Sequence, residues 1–419
     1  MTNAPHRPRP PNVDAPLCAG AASAYMTAVI LRLLLAMLLL APAAHAQTVL
    51  AADAAAEARW IPFTLTAANH IRFEMTVDGT PAVALLDTGL NRTAVSKDFA
   101  RRAKLAADAR KPTQGVALGG TIAVEWAGTR SVTMGALTRT GGSVMVLELP
   151  RLLAAASGKA DMLVGSDLIA GHALDIDFAG KRFRLLPGGS RPFEGRHAPL
   201  TVQPGTGLYL TEAMLGTRRV RPLLIDSGDG GALTVTRTTW RAARVRTAGV
   251  TSTTAFGAGG AAVDAGLAIT DAVRLGDAPT GPIEVRIEPD GGFARQARVV
   301  GRVGNGLLLR YRVLLDPTAG RMILRPNADA PAPPLRSTSG LLMGYDRNRL
   351  RVLHVMAGSP AARTGWKAND LICAVDGQPV TMTADGGIDV RWGADTPGRI
   401  VALTLCDGSE RRLTLAHFY

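Results

Sequence analysis

Two aspartates sit in turns of the same design, Leu85-Leu86-Asp87-Thr88-Gly89 and Leu224-Ile225-Asp226-Ser227-Gly228, 139 residues apart. In each, an apolar run leads straight into Asp-Thr/Ser-Gly, which predicts a strand ending in a tight turn that carries a carboxylate. Two such turns brought face to face would share one proton, because like charges that close cannot both ionise easily. The ionised member takes a proton from water, and the protonated member donates to the oxyanion formed when that water attacks a carbonyl. Gly89 and Gly228 leave room for backbone beneath the carboxylates. The hydroxyls of Thr88 and Ser227 are placed to bond across to the partner turn. For either aspartate alone, the other reading is a turn residue capping its own backbone.

The elements that must position the pair repeat with it. Moved by 139 residues, Gly165 falls on Gly304, Leu168 on Leu307, Asp177 on Asp316, Arg182 on Arg321 and Leu185 on Leu324. Leu118-Gly119-Gly120 falls near Gly259-Gly260 with a slip of one residue. A series in constant register implies a tandem duplication of one unit of roughly 130 residues. The units are expected at 58–187 and 200–326, joined by a Pro/Gly/Arg-rich stretch from Pro187 to Pro199. Ile71–Val77, Asp78-Gly79 and Ala82–Leu86 read as a hairpin delivering Asp87 to its turn. Short alternating runs with glycine-rich turns follow, so the units are expected to be mainly β. Gly119, Gly120, Gly259 and Gly260 read as hairpin tips able to close over an extended peptide, with ordinary loops as the other reading. A phosphate cradle at Gly257-Ala-Gly-Gly fails because no helix-forming stretch follows.

These residues carry a family resemblance. Apolar-apolar-Asp87-Thr-Gly, Thr93-Ala-Val-Ser96, Gly165-Ser-Asp-Leu168, Asp175-Ile-Asp177 and Arg182-Phe-Arg-Leu185 resemble a retropepsin-like aspartic protease unit, and Val303-Gly-Asn-Gly-Leu307 repeats its late element. The resemblance implies two β-barrel units fused into a pseudo-dimer. Asp87 and Asp226 would be the catalytic pair, supported by Thr88, Gly89, Ser227 and Gly228. Leu90 and Asp229 stand where the family has a small residue. Asp229 either raises the pair's pKa values or points to solvent, and the second is the expectation. No tyrosine lies near either hairpin tip.

Composition narrows the classes. The net charge is +13, of which the first 46 residues contribute +2. The basic residues are scattered and aromatics make up only 5%, so neither a clustered basic face nor stacking aromatics for nucleic acid is present. Residues 26–46 form an apolar run ending in Ala44-His45-Ala46, a signal-peptide pattern behind an N-terminal extension, with Met26 as an alternative start. The run is short of the ~20 apolar residues of a membrane span, so contact with a membrane requires an uncleaved leader. This points to an exported protein, periplasmic or secreted. Seven histidines are scattered singly and no metal-ligand spacing occurs. No metal or cofactor is expected. Cys373 and Cys406 either pair or remain buried thiols, the second being the expectation.

After a Pro-rich linker at 327–334 comes a third domain, 335–419. Val355 to Val380, with Ser359-Pro-Ala-Ala and Asp370-Leu-Ile-Cys-Ala-Val-Asp-Gly, resembles a PDZ domain of the bacterial envelope type. The resemblance implies strand addition of a peptide C-terminus, with Gly340-Leu341-Leu342 as the carboxylate loop. Residues 381–396, where the groove helix belongs, contain Gly386, Gly387 and Gly393 and few helix formers. A domain packed on the protease units is the other reading. The expected function is an exported aspartic endopeptidase, a monomeric pseudo-dimer cutting peptides or proteins, with the PDZ domain recruiting substrate or partner. Two alternatives stay open: a homodimer in which only the Asp87 units pair, and a non-enzymatic envelope scaffold with degenerate protease units. No Gly-x-Ser-x-Gly elbow supports a serine hydrolase.

Overall fold

A computed structural model describes residues 59–148, 160–328, 334–346, 348–381 and 390–419. The expected leader, most of the Pro-rich linker and residues 382–389 lie outside them. All described residues fall in one compact unit, Thr48–Tyr419. Among them no helix is long and apolar enough to cross a membrane.

The chain is mainly β, as the alternating runs predict. Strand Ile71–Val77 buries every second residue and turns at Asp78-Gly79, both at positive φ, into strand Thr80–Leu86. That turn geometry matches the twist of the strands it joins. Strand Thr80–Leu86 pairs in parallel with Met162–Val164, which in turn lies antiparallel to Ala94–Ser96. In the second half, strand Arg218–Asp226 pairs in parallel with Gly301–Gly304, which lies antiparallel to Leu233–Thr236. Each set belongs to a ten-stranded sheet, and the two sheets run through their strands in the same order.

A third sheet of six strands takes members from both halves. His172–Asp177 pairs with Tyr311–Asp316 at its centre, and the hairpin partners Arg182–Pro187 and Arg321–Pro326 flank them. Asp175 and Asp316 are fully buried in it. Asp175 takes charge-assisted bonds from Arg184 and Arg312, and Asp316 pairs with Arg321. One large apolar core runs through both halves. Part of the stretch expected to be a connector is a strand, Arg196–Pro199, which pairs with Arg321–Pro326 at the edge of this sheet.

Strands of 341–414 form a separate sheet with its own core around Trp366 and Trp392. Cys373 and Cys406 form a disulfide there, with Cα atoms 5.0 Å apart, rather than the expected pair of thiols. They sit on or directly beyond neighbouring antiparallel strands, Leu371–Val375 and Ile400–Leu405, which brings their side chains together.

Candidate active site

Asp87 and Asp226 both sit where an apolar strand ends, and the two turns are tied to each other by four hydrogen bonds. The Thr88 amide donates to Ser227 Oγ (2.9 Å) and Thr88 Oγ1 donates to the Ile225 carbonyl (2.8 Å). In mirror fashion the Ser227 amide donates to Thr88 Oγ1 (3.0 Å) and Ser227 Oγ donates to the Leu86 carbonyl (2.9 Å). Thr88 and Ser227 are buried, so each hydroxyl is a donor and an acceptor with no water to replace its partners. The two glycines pack against the opposite carboxylates. A Cβ on Gly89 would collide with the Asp226 carboxylate, and one on Gly228 would come within 2.5 Å of that of Asp87. Each carboxylate also accepts from its own turn, Gly89 N to Asp87 Oδ1 and Gly228 N to Asp226 Oδ1, both at 3.0 Å.

Both carboxylates are pushed up in pKa. Burial raises Asp87 to about 6, against the bonds from Gly89, Leu90 and Asp226. Asp226 is raised well above the ordinary range, first by burial, then by the charges of Asp87 and Asp229. Burial thus pushes both carboxylates up, and at Asp226 the like charges of Asp87 and Asp229 add to it.

Asp229 does not point to solvent. It lies in a buried ionic cluster: Arg302 Nε reaches its Oδ2 at 2.6 Å, and the same guanidinium holds Glu288 at 3.0 and 2.5 Å and stands 3.8 Å from Asp226 Oδ2. Burial raises the Asp229 pKa, but Arg302 and Arg286 outweigh it and hold the carboxyl well below its usual range. The expectation failed because the arginine that neutralises Asp229 lies 73 residues on. Nothing in the local pattern Asp226-Ser-Gly-Asp announces it.

Sequence reasoning also missed Asn305, Asn69 and Asp167. Asn305 Nδ2 donates to the carbonyls of Ser227 and Asn69, both at 2.8 Å, and Asn69 Nδ2 reaches the Gly230 carbonyl at 3.0 Å. These bonds pin the first half's 66–70 loop onto the second triplet. In the first half, Asp167 does comparable work, accepting from Thr93 N (2.7 Å) and Thr93 Oγ1 (2.8 Å). The polar residues just after Gly165 and Gly304 were the available signal.

Gly119 and Gly120 lie at the tip of hairpin Thr113–Ala117/Gly120–Gly128, and Gly259 and Gly260 lie in the loop between Thr251–Ala255 and Val263–Thr270. The two tips meet. Gly259 N donates to the Leu118 carbonyl at 2.9 Å and Ala261 N to that of Gly119 at 3.2 Å.

Gly340, Leu341 and Leu342 open strand Leu341–Asp346, which lies at an edge of its sheet. The Gly340 amide already bonds Ser337 Oγ (3.0 Å) and the Leu341 amide Ser339 Oγ (3.2 Å). The same domain grips the second hairpin. His354 Nε2 and Nδ1 bond Ser252 Oγ (2.8 Å) and Thr254 Oγ1 (3.0 Å), and Thr251 Oγ1 donates to the Ala357 carbonyl (2.8 Å). Met356, Phe418 and Tyr419 pack on Leu267 and Ile269.

Among the described residues no cluster of His, Cys, Asp and Glu could hold a metal ion. Comparison with curated proteins gives no match. Comparison with family models does, and the match covers the first triplet, its hairpin and the Gly165–Leu168 element: residues 73–168 match the model of an aspartyl protease family.

Proposed function

We propose that this chain is an exported, single-chain aspartic endopeptidase in which two retropepsin-like units act as a pseudo-dimer and supply Asp87 and Asp226 to one site. The reading rests above all on the reciprocal Thr88/Ser227 bonds, which hold the triplets of both halves against each other within one chain. Asp87 is the base: ionised above pH about 6, it takes a proton from a water lodged between the carboxylates. Asp226, kept protonated by burial and two neighbouring charges, donates to the carbonyl oxygen as the water attacks. The amine leaves with a proton returned from the pair. The hairpins that meet at Gly119 and Gly259 would part to admit an extended peptide and close over it.

The disulfide Cys373–Cys406 suits an oxidising compartment and supports export to the cell envelope under the leader at 26–46. The C-terminal domain we read as PDZ-like. Its grip on strand Thr251–Ala255 favours a role in bracing the second hairpin. Recruitment through Gly340-Leu341-Leu342 would first have to displace the serines on two of the amides. Replacing Asp87 or Asp226 singly with Asn must abolish peptide cleavage, and active enzyme must run as a monomer on sizing. Full activity in either variant overturns the paired site, and activity confined to a dimer overturns the single-chain arrangement.

A further inference from the structure

The faces beside the two aspartates occupy equivalent places and have opposite chemistry. Beside Asp87 lies an apolar cluster of Leu85, Ala94, Val124, Met145, Leu147 and Leu163, extended by Leu90 after the triplet and Ile122 of the hairpin. It therefore spans from the carboxylate turn to the overhanging hairpin. Strand register identifies its counterparts. Leu163 stands across from Leu85 and Ala94, and Arg302 across from Leu224 and Thr234. Met145 pairs with Ala94, and Arg286 with Thr234. Leu147 pairs with the helix cap Ser96, and Glu288 with the helix cap Thr236. Leu90 and Asp229 each follow their triplet. Four apolar side chains thus correspond in position to four charged ones.

The ionic cluster is not evenly satisfied. Arg302 saturates Glu288 and Asp229 Oδ2, while Asp229 Oδ1 accepts from Gly231 N at 2.8 Å. Arg286 has only a 3.5 Å contact to Asp229 Oδ1, its Nε has no hydrogen-bond partner among the described residues, and its side chain is 19% exposed. The acceptors are used up and donors remain, so the missing partner is an acceptor. A carboxylate in a partly desolvated site is the best match for a guanidinium. Glu284, two residues along the same strand, feels the Arg286 charge but makes no ion pair with it among the described residues, and burial outweighs that charge and raises its pKa.

We propose that the two halves select different side chains: an apolar residue against the Asp87 face and an acidic residue held by Arg286 against the Asp226 face. The substrate is then an extended peptide with an apolar residue on one side of the scissile bond and Asp or Glu on the other. This rests on the peptidase reading and names its substrate class.

The test is kcat/KM for matched peptides carrying Leu on one side of the cut and Glu, Gln, Leu or Lys on the other, in both orientations. The better orientation is expected to rank Glu over Gln over Leu, with Glu about tenfold to a hundredfold above Leu, the span of a charged hydrogen bond. In Arg286→Met the Glu/Leu ratio falls to about one, and Arg286→Lys keeps part of it. Melting curves confirm that both variants fold. Leu equal to or above Glu, or Lys preferred, overturns the proposal and leaves the peptidase reading standing. An acidic preference unchanged in Arg286→Met overturns the assignment to Arg286. No cleavage of any peptide removes the peptidase reading and this inference with it.

Discussion

The Asp87 face and the Asp226 face are built on equivalent strands of two sheets and do the same supporting work by different physics. On the first, Met145, Leu147 and Leu163 hold the triplet by apolar packing. On the second, Arg286, Glu288 and Arg302 hold it by charge, with Asp229 as the link to the triplet turn. The apolar wall itself acts on the proton of its carboxylate through desolvation, the largest cause that drives Asp87 upward, and the charge of Asp229 adds to it from the other face. The ionic wall adds the fields of Asp229 and Arg302, of opposite sign, to Asp226. Charge on one face and none on the other gives two acids of like design unequal surroundings, which is what the proposed division into a base and a proton donor requires.

The strongest attempt to break this inequality acts on the acids themselves. Asp87→Asn removes the proposed base and Asp226→Asn the proposed donor, and each is expected to lower kcat by about 10^3–10^4-fold, the range of positioned proton transfer. Steady-state assays on one peptide check it. A thousandfold loss in one variant and a tenfold loss in the other would mean that the halves are unequal in importance as well as in proton affinity.

Next in size is the wall. Arg302→Leu leaves Asp229 and Glu288 buried without their guanidinium and is expected to cost about 3–5 kcal/mol. The same position on the other face, Leu163→Ala, leaves a cavity and is expected to cost about 2–4 kcal/mol. Copying the first face onto the second, with Asp229→Leu, Arg286→Met, Glu288→Leu and Arg302→Leu together, removes the charges and their desolvation at once. That variant should be near wild-type stability in denaturant titrations, since a buried ionic cluster replaced whole by apolar groups of similar volume is often neutral or stabilising.

How much of this was legible from sequence follows from where the information lies. The triplets, the Asp78-Gly79 hairpin and the Gly165–Leu168 element are local patterns in which each residue states its own backbone conformation, and they appear where they were read. The ionic wall is not local. Asp229 looks like a solvated turn residue until Arg302 and Glu288, distant in sequence, are brought to it by parallel strands. Their charges sit in strands where Arg302 is flanked by Gly301 and Val303, with no periodicity to mark them as inward. The expectation of free thiols fails for the same reason, because it is the pairing of Leu371–Val375 with Ile400–Leu405 that makes partners of Cys373 and Cys406.

A third prediction concerns pH. Both acids have native pKa values above the ordinary ~3.9 of an aspartate, so between pH about 4 and about 6 the native state binds more protons than the unfolded one. Stability must therefore fall as pH rises through this window. The loss at neutral pH is on the order of 2–3 kcal/mol for Asp87, and Asp87→Asn, which cannot ionise, should recover it. A variant that is inactive yet melts higher at pH 7 than at wild type, with the gain vanishing near pH 4, would place the cost of the site on the buried carboxylates. In activity, the acid limb of the pH profile should lie near pH 6, where Asp87 loses its charge. Asp229→Asn removes a charge that raises both acids and should move that limb to lower pH.

The smallest effect is the one that separates the hairpins. Strand Thr113–Ala117 of the first hairpin is largely exposed, whereas strand Thr251–Ala255 of the second is largely buried and bonded to His354 and Ala357 of the C-terminal domain. The second hairpin is therefore held from outside, and among the described residues the backbone hydrogen bonds that tie its tip to the first come from Gly259 and Ala261. His354→Ala removes two side-chain bonds, each worth about 1 kcal/mol net, while the Thr251–Ala357 and Ser252–Ala357 bonds and the packing of Met356 on Leu267 remain. Global stability should change by no more than about 1–2 kcal/mol. Hydrogen exchange should nevertheless quicken across 251–255 and 263–270 and stay unchanged across 113–128, because local opening follows the bonds that close it. Equal quickening in both hairpins would mean that the tip contacts, rather than the C-terminal domain, set their motion, and the asymmetry between the halves would then end at the ionic wall.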